Sequence, residues 1–328
     1  MEGIASTRAG SFASVVRVKE LGSGKTFAAK VPHFKASDPA SRSRKNWEAL
    51  EEEFKKVINL RHPHIVTAIE ILPSRLKNEP PWLIMEWIQD DLSSIDLNVR
   101  DLPSLASQLT GALQYLHSQN YAHRDVKPDN ILIQLYCGRL VASKLADFGT
   151  SKLDASGRMD TYAGTSIYMA PEFWQENLYY TKAIDMWSLG VVLAQGLSKL
   201  GASLRVWDSR IPPSKNIHEK WIKDSLLPLI DLVPKPFAPL LVGLLSESVQ
   251  SRWTALDSHT WLREHFTELS IDEESDNKKR PASLTDLEDL ERGRSLPRAL
   301  RSETASSPSP TDTIEDPYMW GSGSPKLV

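Results

Sequence analysis

Up to about residue 86 the apolar positions come in short alternating runs, the spacing of strands that bury one face. Ser14 to Lys19 and Thr26 to Val31 read as two strands, separated by the turn signal Gly22-Ser23-Gly24. Ile65 to Leu72 and Trp82 to Trp87 read as two more. One helix interrupts them from Trp47 to Leu60, where Trp47, Leu50, Phe54, Val57 and Ile58 recur near a 3.6-residue period. From about residue 100 helical spacing dominates, over Leu102 to Gln119, Ala183 to Leu200, His218 to Ile230 and Trp253 to Phe266. The pattern stops near residue 268. The remaining stretch, 268–328, is rich in Ser, Pro and charged residues and poor in large aliphatics, so burial cannot offset the entropy of ordering it. This tail is expected to be mostly disordered, with Leu284, Leu287 and Leu290 at the spacing of a short helix. Ahead of it stand a small β-rich lobe, 1–86, and a larger, mostly helical one, 87–267. No internal repeat is visible.

Composition narrows the classes. At 41% hydrophobic and 25% charged residues, the 328-residue chain can fill an ordinary globular core. A net charge of −3 gives no general pull toward nucleic acid or anionic membrane. Cys137 is the one cysteine, so no internal disulfide framework exists, as suits a reducing compartment. Residues 1–10 lack the basic flank and apolar run of a signal peptide, and no stretch approaches the length of a membrane span. The expected location is the cytoplasm, the nucleus or both. Oligomeric state leaves no mark in the sequence.

The strongest chemical signal is His123-Arg124-Asp125-Val126-Lys127-Pro128-Asp129-Asn130, followed seventeen residues after Asn130 by Asp147-Phe148-Gly149 and then by Ala170-Pro171-Glu172. In these motifs, their order and their separations the chain resembles the eukaryotic serine/threonine protein kinases over about residues 8–266. The resemblance implies an α+β, bilobal protein kinase fold whose β-rich N-lobe carries one regulatory helix. It implies ATP and Mg²⁺ as cofactors and protein substrates as partners. Asp125 would orient the acceptor hydroxyl and take its proton, and Lys127 would contact the γ-phosphate. Asn130 and Asp147 would hold Mg²⁺ through oxygen, as a hard cation prefers. Single Asp and Asn residues are often turn or cap residues, but this ordered set matches the parts that phosphoryl transfer needs.

Phe27-Ala28-Ala29-Lys30 resembles the family strand whose lysine reaches the α- and β-phosphates. Its partner is expected to be Glu53, nine residues before His62. The plainer alternative is that Glu51, Glu52 and Glu53 form a solvated acidic face. Successive helical residues turn about 100° apart, so at most one of the three points at Lys30. The family's G-x-G-x-x-G-x-V loop aligns with Arg8-Ala9-Gly10-Ser11-Phe12-Ala13-Ser14-Val15, where only Gly10 and Val15 survive. Arg8 and Ala13 limit close backbone approach to phosphate, so nucleotide binding is expected to persist in weakened form. The stretch before Arg8 is short for a full first strand, as a truncated start would be. Val15 and Ala28 would cover adenine, Met85 would be the gatekeeper, and the backbone of Glu86 and Ile88 would bond the base.

Lys127, two residues after Asp125, and Thr165 in Gly164-Thr165-Ser166 resemble the serine/threonine branch rather than tyrosine kinases. Thr161, eleven residues before Glu172, stands where an upstream kinase would phosphorylate an activation segment, beside the acidic Asp160. Arg124 offers a cation for such a phosphate. Asp185 is expected to support the catalytic-loop backbone and Arg252 to pair with Glu172. Ser283, Ser307 and Ser324 in the tail resemble phosphoacceptors, and Asp90-Asp91 hints at basic peptides. A second reading stays open because of the eroded loop: a pseudokinase that binds nucleotide and acts as a scaffold.

Overall fold

Small and β-branched residues at the start of the chain pair into an antiparallel sheet. The computed structural model describes residues 2–9, 13–33, 40–73, 80–149, 152–153, 166–174, 181–198 and 214–269. All fall within one compact unit, Met1–Arg280. Gly10, Thr161, Thr165, Asp160 and the tail sites Ser283, Ser307 and Ser324 lie outside the described residues.

The first lobe holds β1 (Glu2–Ala9), β2 (Ala13–Lys19), β3 (Thr26–Pro32), helix α1 (Ala40–Val57), β4 (Ala68–Leu72) and β5 (Trp82–Glu86). The five strands form one sheet in the order β1-β2-β3-β5-β4. The stretch before Arg8, expected to be short for a full first strand, forms with Arg8 and Ala9 an eight-residue strand paired to β2. Gly24, at φ 72°, turns the chain from β2 into β3, a left-handed conformation that glycine adopts without strain. Side chains alternate across the sheet: Ala28 and Met85 join the main core, whereas Val18, Ala29 and Ile84 form a smaller cluster with Val16, Phe27 and Trp82.

Helix α1 begins seven residues before the expected Trp47. Its first two turns contain almost no large apolar residue, so hydrophobic periodicity marks only the buried part. Leu50, Glu53 and Val57, spaced three and four apart, form its buried stripe. The strand expected over Ile65 to Leu72 shortens to β4, because Ile65 and its neighbours bond elsewhere. Ile65 bridges Leu145 in parallel, with Leu145 N–H donating to His64 O at 3.0 Å and Val66 N–H to Leu145 O at 2.9 Å.

The second lobe continues through β6 (Asp90–Asp91), α2 (Leu102–Ser118), β7 (Tyr121–Ala122), β8 (Ile131–Tyr136), β9 (Arg139–Leu145), β10 (Lys152–Leu153), α3 (Ala183–Ser198), α4 (Lys215–Trp221), α5 (Ala238–Leu244) and α6 (Ala255–Leu269). Helix α6 runs two residues past the boundary expected at 267. The helix expected over His218 to Ile230 divides into α4, a π-turn at Ile222–Leu226 and a 3₁₀ segment at Leu227–Asp231. Pro228 has no N–H to donate, so regular α-helix cannot run through it. The core centres on α2 and α3, with Leu105, Leu109, Leu113 and Trp187 fully buried. Gly190 lets α3 approach α5, since a Cβ there would stand 2.9 Å from that of Leu244.

Burial also holds imidazoles neutral. His218, fully buried beside Trp221 and Trp174, is pulled down to about 4 by desolvation. His62, stacked on Tyr115, is pulled to about 4 by desolvation and by the nearby His64 and His259. The unfolded chain binds these protons at the ordinary histidine value and the folded chain only near 4, so stability is full above about pH 6.5 and falls as pH drops toward 4. Denaturation midpoints measured across that window should decline steadily, with His218 contributing at most about 3 kcal/mol. The slope should flatten in His218→Phe.

Candidate active site

Strand β3 is central in its sheet, with Lys30 opposite Val15 on β2 and Leu83 on β5. The buried stripe of α1 turns Glu53 toward it. Lys30 Nζ donates to both Glu53 oxygens at 2.7 Å and to Asp147 Oδ1 at 2.8 Å. Thus Glu53, 4% exposed, is the glutamate that reaches Lys30, while Glu51 and Glu52 are exposed. Burial disfavours the ammonium, but the carboxylates of Glu53 and Asp147 outweigh it and hold Lys30 above the ordinary lysine range. Burial likewise lifts the Asp147 carboxyl, yet Lys30 and the Gly149 N–H bring it below its usual value. Burial raises Glu53 against the pull of Lys30.

The β8–β9 hairpin places the next two groups. Ile131 pairs with Leu145, so Asn130 and Asp147 flank the open end of the ladder, where Ala146 N–H donates to Asn130 O at 2.9 Å. Asn130 Nδ2 donates to the backbone oxygen and to Oδ2 of Asp125, both at 2.8 Å. Lys127 Nζ donates to the same Oδ2 at 2.7 Å. Asp125, Lys127 and Asn130 therefore form one hydrogen-bonded group, and Lys30, Glu53 and Asp147 another.

Backbone strain accompanies this arrangement. Arg124 and Asp147 sit at φ 73° and 63°, a region that costs a non-glycine residue on the order of 1–3 kcal/mol unless its surroundings over-determine it. Those surroundings are visible. Asp185, fully buried on α3, accepts from Arg124 N–H at 2.7 Å, from His123 N–H at 2.8 Å and from His117 Nε2 at 2.8 Å. Burial opposes its charge, but these donors hold its carboxyl below the usual range. His123 Nδ1 accepts from Asp125 N–H at 3.3 Å and its Nε2 donates to Ala146 O at 3.0 Å, which fixes one tautomer. Its ring meets Phe148 edge-on at 4.9 Å, so the chains on either side of Asp125 and Asp147 are clasped.

Of the residues expected around adenine, Val15, Ala28, Met85 and Glu86 fall on adjoining strands, and Ile88 lies just beyond the last of them. Ala28 lies opposite Met85, and both are buried; Val15 packs at the edge of the same core, as does Ile88. Glu86 ends β5, and its side chain is engaged by Lys144. Lys144 is not among the residues that motif spacing singles out, although one lysine in the apolar run leading to Asp147 is a usable signal. Nor are His117 and His123 legible as supports, because a single histidine in a motif carries no partner information. Arg252 and Glu172 form a bidentate pair at 2.6 and 2.9 Å.

Magnesium suits this donor set. Asn130 spends its amide hydrogens on Asp125, which leaves its oxygen for a hard cation, and Asp147 adds a carboxylate. Among the described residues no group of three or more His, Cys, Asp or Glu could hold a metal ion.

The bilobal α+β fold and this cluster are those of the protein kinase class. The family model described as "Protein kinase domain" matches residues 8–262, and the chain belongs to that family. It is similar to serine/threonine-protein kinase TIO of Arabidopsis thaliana, with 31% identity over 80% of this chain and 19% of that protein. It is also similar to serine/threonine-protein kinase cds1 of Schizosaccharomyces pombe, with 30% identity over 73% of this chain and 50% of that protein. Against human calcium/calmodulin-dependent protein kinase type 1B the identity is 33%, over 56% of this chain and 52% of the relative. The aligned segments span from about a fifth to about half of these relatives. The family implies ATP as substrate and protein acceptors; among the described residues no helix is long and apolar enough to cross a membrane.

Proposed function

We propose that this chain is an active kinase that transfers the γ-phosphate of ATP to serine or threonine hydroxyls of protein substrates. One observation carries the reading: Lys30 is held between Glu53 and Asp147 at 2.7–2.8 Å, so the phosphate-binding cation and the metal-binding carboxylate are already assembled. Little reorganisation remains, and preorganised charge is the main protein contribution to phosphoryl transfer. Lys30 steadies the α- and β-phosphates. Asp125 orients the acceptor hydroxyl and takes its proton as the oxygen attacks phosphorus. Lys127 offsets charge on the moving phosphoryl group. Asn130 and Asp147 would hold magnesium, which when bound neutralises phosphate charge. The names of the relatives and the placing of Lys127 support serine or threonine as acceptor.

Transfer of label from ATP and magnesium to a generic protein substrate tests this. Lys30→Met should lower the rate by about a hundredfold or more, the scale of losing one charged stabiliser of the transition state. Equal incorporation by parent and variant would reject the reading. Tight nucleotide binding with no incorporation by the parent would favour the scaffold alternative, which the substitutions at Arg8 and Ala13 motivate.

A further inference from the structure

The carboxylate of Glu86 is engaged within the protein. Lys144 Nζ donates to both its oxygens at 2.7 Å, and Thr67 N–H donates to Oε1 at 2.7 Å. Glu86 N–H in turn donates to Thr67 O at 3.1 Å. Lys144 is a buried charge, 7% exposed, on β9 three residues before Asp147. The ion pair therefore crosses between the lobes and ties the end of β5 to the strand that leads into the phosphate site. It matters there because sheet pairing stops: β5 ends at Glu86 and β6 begins at Asp90, leaving Trp87, Ile88 and Gln89 outside either ladder. One further restraint is Arg17, whose guanidinium lies 5.5 Å over the Trp87 ring.

We propose that Lys144 is a positioning residue for the nucleotide base: acting through Glu86, it fixes the main chain of the hinge and so sets the preference for adenine over guanine. The proposal rests on the reading that this main chain bonds adenine. The two purines present opposite groups at the six position, an amino donor in adenine and a carbonyl acceptor in guanine. A backbone held in one place rejects the wrong base because a mismatched polar group is left unpaired. A backbone free to rotate accommodates either. Anchoring at Glu86 removes that freedom at the point where the sheet no longer supplies it.

The test is steady-state kinetics of the full chain with ATP and with GTP, alongside thermal unfolding. Lys144→Met leaves Glu86, which is 28% exposed at its side chain, able to turn to water. It should raise the KM for ATP about tenfold, leave kcat within about twofold, and lower the ATP-to-GTP ratio of kcat/KM about tenfold. Lys144→Arg, which retains a cation for both oxygens, should recover most of that ratio. A lowered melting temperature with KM and base preference unchanged would assign Lys144 to stability alone and overturn the proposal. If Lys144→Met does not fold, Lys144→Gln is measured in the same way, and an unchanged base preference again overturns it. A parent enzyme that takes GTP as readily as ATP would instead defeat the adenine-binding hinge itself.

Discussion

Asp125→Asn is expected to lower kcat by about two to four orders of magnitude, the usual worth of a positioned proton acceptor. Nucleotide affinity should stay close to that of the parent. Asp125 Oδ2 already accepts from Lys127 Nζ and Asn130 Nδ2. An asparagine oxygen can take both bonds, so the loop keeps its shape. What the amide lacks is an oxygen able to take the proton of the attacking hydroxyl. Lys30, Glu53 and Asp147 are untouched, so the nucleotide should bind as before. Rapid-mixing kinetics with a saturating peptide, together with a nucleotide titration, separate the two effects. A kcat reduced by less than about threefold would remove Asp125 from proton transfer.

Arg252→Ala should act on folding instead, at a cost of about 3–5 kcal/mol, because it strands a buried carboxylate. Glu172 and Arg252 are 1% and 4% exposed, so water cannot replace the lost partner. Arg252 also donates to Ser246 O at 2.9 Å and Ala183 O at 3.0 Å, and its guanidinium lies 5.1 Å over Trp187. One side chain thus joins the turn at Glu172, the start of α3 and the loop before α6. Urea unfolding should show the loss directly. Arg252→Lys should fall between, since an ammonium keeps the charge but lacks the planar fork that also reaches Ser246 O and Ala183 O. A change under about 1 kcal/mol would mean that the pair is worth no more than a surface salt bridge.

Short-range pattern made much of this protein legible. Lys30, Asp125, Asn130 and Asp147 stand in motifs of fixed spacing, and the position nine residues before His62 pointed to Glu53, which the buried stripe of α1 then separates from its neighbours. Helical periodicity located α2 and α3 almost to the residue. Features set by contacts between distant segments were not legible. The polar start of α1 has no apolar rhythm, and the apolar spacing after His218 does not mark the π-turn at Ile222–Leu226. The support of Asp185 by His117 spans 68 positions and that of Glu86 by Lys144 spans 58, distances over which one sequence carries no pairing signal.

At the heart of the molecule two ammonium groups, of Lys30 and Lys127, face three carboxylates, of Glu53, Asp125 and Asp147. Counted formally these five side chains carry one net negative charge, so on the proposed function a bare polyphosphate would be opposed by the groups meant to hold it. On that reading the free divalent ion concentration of the surrounding medium would be a second dial on occupancy, alongside that of the nucleotide.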